Sequence, residues 1–177
     1  MRNKKAAMEM SVGTIVTIVL LMSVLILGIF LIQKIFKGAS GAIDMTMDEL
    51  DNSIRKLLGE DKAVVIYPSS KYLKIKHGKS DAIGVGIKNM YDDDKSSNTI
   101  SYSVTLGDTG DCGSYDVSKW IKVGKTSEMI LPKGQSASRK IIFEIPIGSP
   151  VCIAEFILNV RVDDNDWISE YFHIEIK

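Results

Sequence analysis

The longest apolar segment of the chain lies near its beginning. Residues 10–33 contain no charged side chain, and basic residues precede and follow them. An α-helix of about 20 such residues crosses the hydrocarbon core of a bilayer. A cleaved secretory signal has a shorter apolar core followed by small residues, whereas Lys34 and Ile35 follow here. A buried core helix is the alternative, but such runs are usually shorter. We therefore assign residues 1–37 to a basic leader and a transmembrane or stem helix.

A short amphipathic helix is predicted after the stem. Residues 38–41 contain two glycines and predict a flexible break. Thr46 and Glu49 have the spacing of a capping box, and Gly59 is a suitable stop. Residues 38–61 are therefore read as a linker helix, which either meets like helices in an assembly or packs along its own domain or on the membrane surface. Its apolar positions recur at spacings of three and four: Ile43, Met47, Leu50, Ile54 and Leu57.

From residue 62 onward the pattern changes to alternation of apolar and polar residues. This alternation is typical of half-buried antiparallel strands, and the acidic turn at 163–166 joins the last two strands into a hairpin. Short strands separated by glycine and proline turns predict an antiparallel Ig-like β-sandwich over residues 62–177, so the chain is mainly β. The candidate strands are residues 64–67, 72–76, 82–89, 99–106, 120–123, 129–131, 138–145, 152–162 and 167–176.

The predicted sandwich contains both cysteines of the chain, Cys112 and Cys152. In an external compartment a disulfide between them would close a loop of about 40 residues and contribute about 2–4 kcal/mol. Two buried, reduced thiols are the alternative. Two cysteines without a CxxC spacing do not form a metal site.

Residues 67–177 resemble archaeal surface Ig-like modules. The resemblance rests on the segments KYLKIKHGKSDAIGVGIKN, TISYSVTL, MILPKGQSASRKIIFEIPIG and FILNVRV. It implies that Gly78 and Gly134 lie at turns, that Asn89 ends a strand and that Pro146 follows the penultimate strand. Cys152 departs from the Gly-x-aromatic step of such modules, which supports the proposed bridge to Cys112.

The first residues resemble the class III signal of archaeal type IV pilins and archaellins. The resemblance rests on RNKKAAME at residues 2–9, which runs straight into the apolar segment. It implies that a prepilin-type peptidase cleaves after Ala6, that the mature chain begins at Ala7, and that the stem remains to form a filament core by self-association. Pilins often carry a glutamate at the fifth mature position, whereas Glu9 would be the third.

The remaining polar residues do not predict an active site. The formal net charge is zero, which gives no general attraction to nucleic acid. His77 and His173 have no second histidine at metal spacing and no nucleophile motif nearby. The acidic residues at 92–94 and 163–166 are read as solvated turns, because neither follows the calcium-loop pattern. We expect no enzyme activity, no cofactor and no nucleic-acid partner.

Two functions are compatible with this organisation. The first is a pilin-like surface subunit, whose stem lies in the membrane or a filament core and whose sandwich is exposed for adhesion or assembly. The alternative is a permanently anchored single-pass protein with an Ig-like binding ectodomain. In both, the lipid bilayer is a partner, and the short basic N-terminus favours a cytoplasmic start with the C-terminal domain outside the cell.

Overall fold

The computed structural model describes residues 4–37 and 42–177. The chain divides into two compact units, Met1–Ala39 and Ser40–Lys177. The first unit consists of helix α1, Lys4–Lys37, which contains the predicted apolar segment. The predicted glycine break at 38–41 lies outside the described residues.

The second unit begins with the predicted amphipathic helix, α2, at Met47–Leu58. Its capping box is present: the Thr46 hydroxyl accepts a hydrogen bond from the Glu49 N–H, and the Glu49 carboxylate accepts one from the Thr46 N–H at 2.9 Å. Gly59 ends the helix with φ 55°, a conformation that side chains rarely adopt. Both end signals read from the sequence are therefore confirmed.

Nine strands follow in the described part of the chain, each at a predicted position. Two 3₁₀-helices, Gly110–Cys112 and Val117–Trp120, interrupt the connection between the fourth and fifth strands, where no helix was predicted. The strands are β1 Val64–Tyr67, β2 Tyr72–Ile75, β3 Ser80–Lys88, β4 Ser97–Leu106, β5 Ile121–Val123, β6 Thr126–Pro132, β7 Ser136–Glu144, β8 Ile153–Val162 and β9 Asn165–Ile176.

The strands form a four-stranded sheet in the order β1-β3-β7-β5 and a five-stranded sheet in the order β2-β9-β8-β4-β6. The prediction of two antiparallel sheets is wrong at one position, because β2 pairs in parallel with β9 from Tyr72↔His173 to Ile75↔Ile176. Strands β1 and β2 both run toward the turn that begins β3, so the chain changes sheets between them without reversing. Strand β9 runs toward the same end of the sandwich, so β2 and β9 lie parallel to each other.

The main core lies between the two sheets and is centred on aromatic side chains. Trp120, Phe143, Phe156 and Phe172 are fully buried. The ring centroids of Phe143 and Phe156 are 5.4 Å apart, and those of Phe156 and Phe172 are 5.6 Å apart. The alternating residues of β8 that are expected to face the core are all buried: Ala154, Phe156, Leu158, Val160 and Val162. Leu106 at the end of β4, by contrast, is 37% exposed.

Helix α2 packs on the outer side of the four-stranded sheet and forms a second, smaller core. Leu50, Ile54 and Leu58 are buried against Val65 and Ala82. This contact decides between the two interpretations of the helix: it packs along its own domain. Residues 42–61 thus share one compact unit with the sandwich.

The seam of α2 differs from the predicted one at two positions. Leu58 is buried while the predicted Leu57 is only partly buried, and Met47 is 45% exposed. The predicted spacing suits a coiled coil with a period of 3.5 residues, whereas a helix lying on a sheet follows its own period of 3.6.

Two glycines of β3 make the packing of α2 possible. A Cβ atom at Gly84 would lie 2.4 Å from Leu50 Cδ1, and one at Gly86 would lie 2.1 Å from Ile54 Cγ2. A side chain at Gly86 would therefore push the helix away from the sheet, and one at Gly84 would displace the end of the Leu50 side chain. The Gly-Val-Gly segment is explained by this close approach.

Candidate functional site

The apolar surface of helix α1 is the first candidate site. None of the residues of Gly13–Leu31 is buried, and Leu21 and Ile26 are 69% and 65% exposed. The segment is long and apolar enough to cross a membrane. Exposed apolar area of this extent is unfavourable in water, which makes the helix a candidate membrane span.

Two hydroxyl groups of α1 donate hydrogen bonds within the helix. The Thr17 hydroxyl donates to the Gly13 carbonyl oxygen at 2.7 Å, and the Ser23 hydroxyl donates to the Val19 carbonyl oxygen at 2.8 Å. Side-chain hydrogen bonds of this type satisfy polar groups that lipid cannot solvate. These two residues are therefore compatible with an apolar surrounding.

The predicted processing residues lie near the beginning of the same helix. Ala6, Ala7 and Glu9 fall within the first two turns of Lys4–Lys37. Residues 1–3 of the leader lie outside the described residues. Cleavage after Ala6 stays a prediction.

A disulfide closes one end of the sandwich. Cys112 lies in the first 3₁₀-helix and Cys152 directly precedes β8, and their Cα atoms are 5.1 Å apart. The two residues are 4% and 5% exposed. The bridge joins the connection after β4 to the beginning of β8, so its role is structural. Of the two interpretations of the cysteine pair, the structure has the bonded one.

Two acidic turns meet at the opposite end of the sandwich. The Asp163 carboxylate accepts hydrogen bonds from the Lys95 ammonium at 2.7 Å and from the Asn98 amide at 2.9 Å. The Asn98 amide also lies 2.6 Å from the Asp93 carboxylate. The Lys95 and Asn98 donors and the Thr99 N–H lower the pKa of Asp163 to about 2. Amide and ammonium groups fill this cluster, so the interpretation as turns holds.

Behind these turns a pair of buried amides connects the two sheets. Asn89 and Asn98 are 0% and 2% exposed. The Asn89 amide donates to the Asn98 side-chain oxygen at 2.9 Å and to the Leu131 carbonyl oxygen at 2.8 Å. Buried polar groups are costly unless they are hydrogen-bonded, and these are.

The two histidines lie on different elements of the sandwich. His77 lies in the turn between β2 and β3, which joins the two sheets and is not a hairpin. His173 lies on the outer face of the five-stranded sheet, with its Nε2 3.4 Å from a Glu155 carboxylate oxygen. No group of three or more potential metal ligands occurs within residues 4–37 and 42–177.

A cleft of about 330 Å³ opens at the side of the sandwich where the edges of β1 and β9 face each other. Val64, Ile66 and Ile168 form its apolar floor. The Lys71 ammonium donates to the Glu170 carboxylate at its rim. The cleft therefore combines an apolar floor with one ion pair at its rim.

Comparisons with known proteins show distant structural likeness. No protein-family model matches the sequence, and no curated protein matches it. A family 123 glycoside hydrolase from Clostridium perfringens is 13% identical with a TM-score of 0.42, and the match covers 71% of this chain and 24% of that one. A Niemann-Pick type C2 protein from the Japanese carpenter ant is 17% identical with a TM-score of 0.35, over 64% of this chain and 89% of that one.

A type I cohesin–dockerin complex from Clostridium thermocellum is 13% identical, with a TM-score of 0.33, over 64% of this chain and 97% of the matched chain. This chain spans about a quarter of the length of the glycoside hydrolase. At these scores no functional conclusion for this chain follows. The fold class rests on its own two sheets.

Proposed function

We propose that this protein is a pilin-like structural subunit of the cell surface. The observation that carries the proposal is a helix whose apolar residues Gly13–Leu31 are exposed on all sides, in a chain whose sandwich has a core of its own. Both core clusters of the sandwich consist of residues from Ala42 onward. The helix therefore offers its apolar surface to partners outside the sandwich.

In this proposal the apolar surface of α1 is covered first by lipid and later by neighbouring stems. Lipid covers it while the protein is held in the membrane, with the sandwich outside the cell. After a prepilin-type peptidase has cleaved between Ala6 and Ala7, neighbouring stems replace the lipid in a filament core. Close packing of the aliphatic side chains supplies this association, since lipid tails are as apolar as the stem.

The sandwich acts in this proposal as an exposed head with no enzymatic role. Its buried aromatic cluster and its disulfide stabilise the fold, and its turns are tied together by Asp163 and Asn98. These features suit a head that must persist outside the cell. The surface of the sandwich would then serve in adhesion and in contact with neighbouring heads.

Electron microscopy of surface filaments tests the proposal. A charged substitution in the stem, Leu25→Glu, is expected to abolish filaments that contain this protein, whereas the matched Leu25→Ile variant retains them. Leu25 is 63% exposed, so neither change disturbs a core of the described structure. Membrane fractionation checks that both variants reach the membrane. Filaments that assemble unchanged with Leu25→Glu would contradict the proposal.

The second candidate function is a permanently anchored binding protein. It is favoured by the outer face of the five-stranded sheet, which exposes hydroxyl and amide groups. The Asn159 amide bonds the Thr105 hydroxyl at 2.9 Å, and the Ser169 hydroxyl bonds the Asn159 oxygen at 2.9 Å. An adjoining cleft of about 300 Å³ includes Ser103 and Arg161. This candidate predicts an intact leader and a monomer in detergent.

A further inference from the structure

Three large aliphatic side chains project from one short segment of the sandwich. Ile147, Val151 and Ile153 are 88%, 71% and 39% exposed. We call these three residues the apolar tip. They lie between the end of β7 and the first residue of β8, on either side of the disulfide-bonded Cys152. Such a concentration of exposed aliphatic side chains marks a surface that has a partner.

The segment that carries the apolar tip is held in place by its own bonds. The Ser149 N–H and hydroxyl both donate to the Pro146 carbonyl oxygen, at 3.3 and 2.9 Å. The Ser149 hydroxyl also lies 3.2 Å from the hydroxyl of Tyr115. A segment that is already ordered loses little conformational entropy when it binds.

The apolar tip lies at the end of the sandwich where the chain enters it. The Gly78 N–H, in the turn before β3, donates to the Ile145 carbonyl oxygen at 2.8 Å, and a Cβ at Gly78 would lie 3.1 Å from Ile147 Cγ1. The Ala42 N–H donates to the Ala82 carbonyl oxygen at 2.6 Å. Ala82 is four residues after Gly78, or roughly 13 Å along an extended chain.

The sequence places an apolar helix only a short linker before this entry point. Residues 38–41 separate Lys37 of α1 from Ala42, and five residue steps reach at most about 18 Å. Lys37 itself lies six residues, or about 9 Å of helix, beyond the apolar segment that ends at Leu31. The linker is therefore long enough for this end of the sandwich to meet a membrane crossed by α1. The opposite end, with the hairpin between β8 and β9, is roughly 30 Å further along the strands.

Charges around the apolar tip are of both signs. Lys76 and Lys79 flank the turn that contacts Ile147, whereas Asp108, Asp111 and Glu155 line a small cleft beside Ile153. Because charges of both signs surround the tip, charge alone does not select a partner. Aliphatic side chains within a rim of this kind match the interface of a bilayer, which offers apolar chains beneath polar headgroups.

We propose that the apolar tip inserts into the interfacial region of the membrane that α1 crosses. The contact restrains the sandwich at the membrane surface until the protein leaves the bilayer. The proposal requires α1 to be a membrane span, which both candidate functions share, and it does not require cleavage of the leader.

The test uses the full chain in phosphatidylcholine vesicles without peptidase. An environment-sensitive fluorophore is attached to a cysteine introduced by Ile147→Cys, after the native disulfide has formed. The matched control is Ile130→Cys: Ile130 is 72% exposed and pairs with Thr99 near the opposite end. Val151→Cys provides a second label in the tip. Near-ultraviolet circular dichroism checks that each labelled protein is folded.

Nitroxide-labelled lipid is expected to quench the labels at 147 and 151 and to leave the label at 130 unchanged. High salt should not reverse the quenching, because the contact is apolar. Equal emission at 147 and 130 would overturn the proposal. The proposal would also be overturned if the label at 147 became shielded from water as the protein-to-lipid ratio rose, without quenching by the nitroxide lipid. That result would indicate contact between copies of the protein. Mass spectrometry of the N-terminus, in a separate sample with peptidase, tests the pilin proposal independently.

Discussion

Gly86→Ala tests whether α2 belongs to the sandwich. The added methyl group would lie 2.1 Å from Ile54 Cγ2 and 3.1 Å from Val65 Cγ2. Ile54 Cγ2 is bonded to the rigid β-carbon of a fully buried residue, so the overlap is relieved only by moving the helix. Overpacking of this kind costs about 1–3 kcal/mol. Replacing glycine by alanine also stabilises the protein by about 0.4–1 kcal/mol, because alanine lowers the conformational entropy of the unfolded chain.

The expected net result is a loss of about 1–2 kcal/mol in the free energy of unfolding. Urea unfolding of the full chain in detergent, followed by the fluorescence of buried Trp120, measures it. Gly84→Ala is the companion variant. Its methyl group would meet Leu50 Cδ1, the end of a flexible side chain, so the loss should be smaller.

The matched control is Gly86→Ala in an Ile54→Ala background. The smaller side chain removes the overlapping methyl group, so the added alanine should there be neutral or stabilising. Ile54→Ala alone should cost about 2–5 kcal/mol because it opens a cavity between helix and sheet. An equal cost of Gly86→Ala in both backgrounds would refute the packing argument, since the double-mutant cycle would show no coupling.

Three further predictions concern the ends of the elements. Replacing Cys112 and Cys152 together by serine should lower the free energy of unfolding by about 2–4 kcal/mol, and reductant should weaken only the unmodified protein. Thr46→Ala should cost about 1 kcal/mol in urea unfolding, because it removes the capping box of α2. Asp163→Asn should remove part of the acid sensitivity: the pKa of Asp163 falls from 3.8 to about 2 on folding, so its stabilisation is complete above pH 3.8 and is lost as the pH falls toward 2. Unfolding curves collected from pH 5 to pH 2 should therefore be flatter for the variant, and parallel curves would contradict this.

Strands such as β4 and β8 could be predicted because one face of each is buried and the other is not. Phe156, Leu158 and Val160 occupy alternate positions of β8, and all three are buried in the structure. The ends of α2 could be predicted for a similar reason, since Thr46, Glu49 and Gly59 act on their own neighbours in sequence. Local chemistry decides such features.

The features that could not be predicted depend on contacts between distant segments. The parallel pairing of β2 with β9 joins residues about a hundred positions apart, and no local pattern specifies it. The burial of Leu58 follows from the sheet beneath α2. The alternate glycines of β3 are a partial exception, because glycines within a strand indicate a close approach of another segment. The apolar surface of α1, by contrast, could be predicted from the sequence, because residues 10–33 contain no charged side chain.

The apolar tip also escaped prediction, for a different reason. Ile147 and Val151 lie among prolines and glycine outside the predicted strands, where no pattern shows whether an aliphatic side chain is buried. Only the fold shows that they project away from the core.

The central claim is tested most directly by the N-terminal residue of the protein recovered from native membranes and surface filaments. Intact mass and terminal-peptide mass spectrometry together identify it. The pilin-like function predicts a mature chain that begins at Ala7 in the filament fraction, with the precursor confined to membranes. A chain that keeps residues 1–6 in every fraction would contradict it and would favour the anchored binding protein.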